Sequence, residues 1–229
     1  MTWTGSRTDT ARTLTMHPTG AALSSIVFRH VGAQIAEGVM PPGVPIEDRI
    51  IGDELGVSRT PVREGLQRLE RIGLVEFSPG RFTRVTPLTA QDVQDWYAFA
   101  GTQVVALIDA VMANREESIR MHAASIVDEV ARCVNEPERF TRSYLTLYDY
   151  LLVHGGSSVH RTILGETTFA LARALRAGTH DADSSRHTAQ HLRSLGDALR
   201  SGDRDLAVNT ARAVHLTLAR APENGRRTP

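Results

Sequence analysis

Ser58 to Leu74 reads SRTPVREGLQRLERIGL, and the fold follows from how this run is punctuated. Ser58 is suited to accept from the free backbone N–H groups of a helix's first turn, and Pro61 fits that turn because an N–H there has no helical partner. Val62, Leu66, Leu69 and Ile72 then recur at spacings of four and three, which predicts a helix with one apolar stripe and leaves Arg59, Arg63 and Arg71 off it. One face packs and another reaches outward.

Upstream, Ile50, Ile51 and Leu55 predict a shorter amphipathic helix that ends at Gly56, with Gly56-Val57-Ser58 as a tight connection. Two helices joined this way are a helix-turn-helix, whose second helix enters the major groove with its N-terminal residues against base edges. Downstream, Leu74 to Phe77 and Phe82 to Val85 flank the turn residues Ser78-Pro79-Gly80-Arg81, which predicts a hairpin carrying a cation at its tip, a wing. A helix pair with scattered arginines can equally be an ordinary solvated core unit. Three features together favour a DNA reader: arginines grouped at the start of the second helix, a minimal inter-helix turn, and a basic Gly-containing hairpin directly after.

The whole run from Ile46 to Val85, IEDRIIGDELGVSRTPVREGLQRLERIGLVEFSPGRFTRV, resembles the winged helix-turn-helix of GntR-type transcription regulators, whose hallmark is an LGVSRTPVREAL-like segment. Gly65 stands here where Ala is usual. In the FadR-like branch three arginines and a wing-tip glycine contact the operator, and the resemblance carries these roles to Arg49, Arg59, Arg63 and Gly80. Ser58, Thr60, Pro61 and Arg81 complete the expected DNA-binding set. Arg59 and Arg63 are expected on bases, and Arg84 of the wing on phosphate.

The chain has 229 residues, enough for one or two units each with a buried core. Aromatics make up 5% while Ala, Leu and Val abound, which suits close-packed helices. The 26 basic and 26 acidic residues cancel, so the case for DNA rests on clustering rather than on net charge. All the basic residues are Arg, a compositional bias that also suits bidentate contact with guanine or phosphate. A single cysteine, Cys133, excludes an internal disulfide and a Cys-rich zinc site, and its apolar surroundings predict a small core residue. No apolar run is expected to reach the ~20 residues that cross a bilayer, and no signal peptide is read. The expected location is the cytoplasm.

Residues 1–20, rich in Thr, Ser, Gly and Arg, are expected to be a disordered leader. A first helix is predicted from Ala22 to about Val39, stopped by Pro41-Pro42-Gly43. Pro87-Leu88-Thr89 breaks the pattern after the wing, so a DNA-binding domain is expected over 21–87, an all-helical domain over 88–221 and a tail over 222–229. The second domain divides into six predicted helices: Ala90–Asn114, Glu116–Val134, Pro137–His154, Ser157–Ala177, about Asp183–Arg200 and Asp203–Arg220. The expected fold class is mainly α: an N-terminal winged helix-turn-helix with a small β-hairpin wing, plus a C-terminal all-α bundle.

The ending DALRSGDRDLAVNTARAVHLTLA is similar to that of the all-helical (FCD-type) effector domain of the FadR-like branch, which implies a ligand-binding, dimerising bundle. Many such domains hold a divalent metal through an Asp, a His one turn on, and a His from each of two later helices. The corresponding positions here hold Tyr144, Tyr148, Leu192 and Val214, while His191 and His215 lie one residue away, ~100° round their helices. No metal ligand is therefore assigned and no cofactor expected, with one alternative, a shifted site made by His191 and His215 with Asp149 or His154. His191 and His215 otherwise read as surface or partly buried residues. Tyr144, Tyr148, His191 and His215 are the candidate lining of a metal-free effector pocket.

Three functions remain open on the sequence. One is a dimeric regulator, a repressor, that binds a palindromic double-stranded operator under control of a small effector such as a carboxylate. The second is a DNA-binding protein whose bundle only dimerises. The third, a helical His/Asp metal-dependent enzyme, lacks any nucleophile elbow, phosphate loop or HExxH pattern.

Overall fold

The computed structural model describes residues 20–178 and 182–219. The expected leader, apart from Gly20, and the expected tail lie outside the described residues. Among the described residues the order is α1 (Gly20–Ala36), α2 (Asp48–Leu55), α3 (Arg59–Arg71), β1 (Val75–Ser78), β2 (Phe82–Val85), α4 (Ala90–Ala113), α5 (Glu117–Arg132), α6 (Pro137–His154), α7 (Ser158–Ala177), α8 (Ala182–Ser201) and α9 (Arg204–Ala219). This is a winged helix-turn-helix followed by an all-helical unit.

Val62, Leu66 and Leu69 of α3 are fully buried against Val27 and Val31 of α1, so the predicted stripe is the one that packs. Its neighbour in α2 is only half right: Ile51 is buried, but Ile50 is 51% exposed. An eight-residue helix has room to bury one narrow face, and Ile51 holds it. Helix α1 begins at Gly20 and stops at Ala36, short of Val39, because the chain turns through Glu37 and Gly38. Ser58 occupies the N-cap position of α3 in extended conformation, yet its hydroxyl makes no capping hydrogen bond, contrary to expectation. Gly56 closes α2 with a φ of 64°, the left-handed region that lets so short a turn form without strain.

β1 and β2 pair antiparallel from Val75 opposite Val85 to Ser78 opposite Phe82. The segment 43–46 joins them: Ile46 N–H donates to the Thr83 carbonyl at 2.8 Å and Val85 N–H to the Val44 carbonyl at 2.9 Å. Sequence reading misses this third pairing because Pro41, Pro42 and Pro45 mask it. Prolines are tolerated at a sheet edge, where their missing N–H faces away from the ladder.

Two hydrophobic cores result. One gathers the head, α1 to β2; the other fills the bundle with Tyr97, Leu107, Ile108, Leu151, Leu171 and Leu195 among its fully buried members. Trp96 packs against both, and Ala170 and Phe169 of α7 sit with the head. Three side chains of α7 grip the head from one face, at spacings of three and four. Glu166 pairs with Arg68 of α3 at 2.6 Å, the Phe169 ring meets Phe28 edge-on at 5.6 Å, and the buried Arg173 guanidinium donates to the Thr86 carbonyl just after the wing. Burial pulls the Arg173 pKa down, and Asp92 partly offsets this. Asp92 itself lies below the usual carboxylate range, chiefly because Thr89 donates to it in a capping box at the start of α4.

Helix α4 departs from the expectation that no segment approaches a bilayer-spanning composition. Its mean hydropathy reaches 1.4 over 18 residues, since Gly, Thr, Gln and a lone Asp scarcely interrupt the apolar run. Within this fold it is a bundle helix: Val93, Tyr97, Val104, Leu107 and Val111 enter the core, and Asp109 forms a two-pronged ion pair with Arg204 at 2.6 and 2.7 Å.

Candidate nucleic-acid interface

The start of α3 and the hairpin enclose a concave face of about 620 Å³ on the outside of the head. Arg49 from α2, Arg59 and Arg63 from α3, and Gly80 and Arg81 from the wing all line it. The wing reaches this position because Arg81 N–H donates to the Ser78 carbonyl at 2.9 Å while Gly80 takes a φ of 68°, a turn that a side chain would strain. Four guanidiniums thus share the surface with two carboxylates, Glu47 and Asp48.

The four are not equivalent. Arg63 Nε is 3.2 Å from Asp48 Oδ2 and Arg49 is 3.2 Å from Asp53, so both are held in place, Arg49 by an exposed partner and Arg63 by a half-buried one. Arg59 and Arg81 have no ion-pair partner among the described residues. An exposed pair contributes ~0–1 kcal/mol and can be exchanged for a phosphate or base edge, whereas an unpaired guanidinium is already free to bind. Ser58 and Thr60 are exposed beside Arg59, but Pro61 is buried, so it shapes the first turn of α3 instead of facing outward. Arg84, expected on phosphate, is already engaged: its Nε donates to Glu76 and its guanidinium lies 4.3 Å over the Phe82 ring. It braces the wing, a role that cross-strand pairing of Glu76 with Arg84 could have signalled.

In the bundle, Tyr144 of α6 and His215 of α9 come together. Tyr144 Oη lies 2.5 Å from His215 Nε2, and His215 Nδ1 is 2.8 Å from the Ala211 carbonyl. A carbonyl only accepts, so Nδ1 carries the proton and Nε2 accepts from the tyrosine. His215 is buried, more deeply than the surface or partly buried position expected, and burial lowers its pKa to about 4. Burial also raises the pKa of Tyr144, Tyr148 and Tyr97, and Tyr97 is not among the pocket residues read from the sequence. His215 reaches the surface on its other side, where it walls a groove of about 360 Å³ between α4 and α9. His191 does not join this cluster: it is partly exposed, with Nδ1 3.5 Å from Thr217 Oγ1.

The metal arrangement implied by the family resemblance does not fit these residues. Leu192 and Val214 are buried and offer no lone pair, Tyr144 is hydrogen-bonded to His215, Asp149 is exposed, and His154 stacks on Tyr150 at 4.2 Å. Among the described residues no three His, Cys, Asp or Glu side chains converge. Cys133 is buried, with Sγ 3.2 Å from Glu129 Oε1.

A short helix, a recognition helix and a basic wing set on a helical bundle define a winged helix-turn-helix transcription regulator. The family described as "Bacterial regulatory proteins, gntR family" matches residues 23–85. A regulator from the unstable DNA locus of Streptomyces ambofaciens is 31% identical over 182 residues, covering 77% of this chain and 75% of that one. The HTH-type transcriptional regulator Mce2R of Mycobacterium tuberculosis is 27% identical over 196 residues, 77% and 82% of the two chains. The chain belongs to the GntR family. Its fold extends across both units: E. coli McbR/YncC superposes with a TM-score of 0.65 at 14% identity, over 85% of this chain and 93% of the other. The family and these relatives are transcription regulators, not enzymes.

Proposed function

We propose that this protein is a sequence-specific repressor in which Arg59 and Arg63 read base edges in the major groove. Ser58 and Thr60 flank them, and Arg49, Gly80 and Arg81 seat the flanking backbone. The observation that carries this reading is the single concave face on which all four guanidiniums and the wing tip meet. The reading assigns DNA recognition to residues 21–87 and dimerisation with effector response to 88–221. Two copies act on a palindrome, because one winged helix contacts too little DNA for a specific site at physiological salt.

The effector reading places a small ligand against His215, which links the outer α4–α9 groove to the buried Tyr144 and Tyr148. Location in the cytoplasm follows from the regulatory role. The test is selection of bound duplexes from a random library, followed by anisotropy titration of Arg59→Ala and Arg63→Ala on the selected site and on random DNA. Each variant should lose ~1–3 kcal/mol of discrimination. Equal loss on both DNAs would refute base reading, and a chain that is monomeric in sedimentation would refute the paired arrangement.

A further inference from the structure

A second cavity, of about 350 Å³, lies at the seam between head and bundle, away from the Tyr144–His215 cluster. Three helices wall it: Ala33 and Ala36 from α1, with Glu37 of the turn just after it; Glu138, Thr141, Arg142 and Leu145 from α6; Thr168, Phe169, Ala172 and Arg176 from α7. Its lining separates by chemistry. Ala33, Ala36, Leu145, Phe169 and Ala172 make an apolar wall, and Phe169 is fixed there by its edge contact with Phe28. Two guanidiniums share the lining. Arg142 has no ion-pair partner among the described residues, and Arg176 has only a 3.9 Å contact with Glu138, too long for a hydrogen bond. Thr141 also lines the cavity, and its Oγ1 is turned away from solvent with no hydrogen-bond partner in the protein. A buried hydroxyl left this way is unfavourable until a ligand or water meets it.

We propose that this seam is a binding site for a small organic monoacid with a compact apolar body, an aromatic ring or a branched aliphatic chain. The carboxylate is taken by Arg142 and Arg176, and the Thr141 hydroxyl donates to it after turning about its Cα–Cβ bond into the cavity, while the body lies on Phe169, Leu145 and the three alanines. Charge-assisted bonds to guanidinium suit a carboxylate better than any neutral group. Glu37 and Glu138 at the same cavity repel a second negative charge, which selects monoacids over diacids and phosphates. The volume falls at the low end for small-molecule sites and so limits the ligand to a single ring or its equivalent.

The consequence is coupling. A ligand held here touches α1 of the head and two bundle helices at once, so it binds this docked arrangement better than any in which the head swings away. Monoacid concentration would then set how firmly the recognition helix is held relative to the bundle. The site stands whether or not the Tyr144–His215 cluster takes a ligand of its own.

The experiment is calorimetric titration of the full chain with benzoate, phenylacetate and 4-methylpentanoate, set against phenylacetamide and phthalate. Variants Arg142→Ala, Thr141→Val and His215→Gln accompany the wild type. Arg142 is exposed and Thr141→Val is close to isosteric, so both should fold; circular dichroism checks this. At least one monoacid should saturate at one per chain, about tenfold or more weaker in Arg142→Ala, weaker in Thr141→Val, and unchanged in His215→Gln. The amide and the diacid should bind about tenfold or more weaker than the best monoacid. Bound monoacid should also slow amide exchange in α1. The proposal is overturned if no monoacid saturates, if Arg142→Ala binds as the wild type does, or if only His215→Gln loses binding, which would place the acid in the bundle core.

Discussion

Arg68 on the recognition helix and Glu166 on α7, 98 residues apart, meet at 2.6 Å, and the same guanidinium lies 4.4 Å over the Phe28 ring and 3.0 Å from Ser25 Oγ. Helix α3 is therefore tied near its C-terminal end to the bundle. The two side chains are 24% and 44% exposed, so the ion pair itself contributes ~1 kcal/mol or less. Glu166→Gln should lower the melting temperature by no more than ~2–4 °C. Arg68→Ala should cost clearly more, because it also strips the contact with Phe28 and the bond to Ser25. Equal losses in thermal melts would show that the ring contact contributes nothing.

Arg84 and Arg81, three positions apart in the wing, should behave differently on DNA. Arg84 is committed to Glu76 and Phe82, whereas Arg81 has no ion-pair partner among the described residues. A phosphate contact adds ~0.9 to the slope of log affinity against log salt. Arg81→Ala should reduce that slope by about one, while Arg84→Ala should weaken binding through a loosened wing and leave the slope alone. Matching slope changes in salt-titrated anisotropy would make Arg84 a phosphate ligand after all.

Gly65 offers a third test, since Ala is usual there in the family's hallmark run. In this chain an added Cβ would sit 2.7 Å from Val27 Cβ and 3.0 Å from the Ser24 carbonyl, and Val27 is fully buried with nowhere to move. Overpacking of this kind costs ~1–3 kcal/mol. Ala regains up to ~1 kcal/mol of helix propensity over Gly, so the expected sign is destabilising. Gly65→Ala should lower the denaturant midpoint, and Val27→Ala should rescue only part of the loss, because it removes Cγ1, also 2.7 Å from the new methyl, and keeps the Val27 Cβ. Additive losses in the double variant would mean that the two residues do not touch.

These sites also show what the sequence could and could not reveal. The stripe Val62, Leu66, Leu69 and the turn Ser78 to Arg81 were legible because helix periodicity and turn chemistry are local. So was the gathering of Arg49, Arg59, Arg63 and Gly80, once the motif fixed their spacing. The grip of Glu166, Phe169 and Arg173 on the head was not: it joins residues about a hundred positions apart, and its spacing on α7 matches that of any amphipathic helix. The bond between Tyr144 and His215, 71 residues apart, was hidden for the same reason, although both residues read as lining of one pocket. Pro61 is a different case: it is buried, and a motif names residues without saying which of them face inward.

The pH dependence of stability should report that buried pair. Folded His215 is held neutral, its pKa lowered to about 4 by burial, against ~6.5 in the unfolded chain. Above pH 6.5 the ring is neutral in both states and contributes no slope. Between pH 6.5 and 4 the unfolded chain takes up a proton that the folded protein refuses, so stability falls as pH falls and levels off below 4. At pH 5 the loss is about 2 kcal/mol. Asp92, whose carboxyl is held below its ordinary range by Thr89, adds its own loss only nearer pH 4, outside this window. Protonation at Nε2 would also remove the acceptor that the Tyr144 hydroxyl uses, so the pair resists the proton twice. His215→Gln keeps a side chain able to accept from Tyr144 but cannot titrate. Urea unfolding should give a less stable variant at pH 7 whose stability barely changes between pH 6.5 and 5, while the wild type declines. The same decline in both proteins would show that the histidine is not the group responsible.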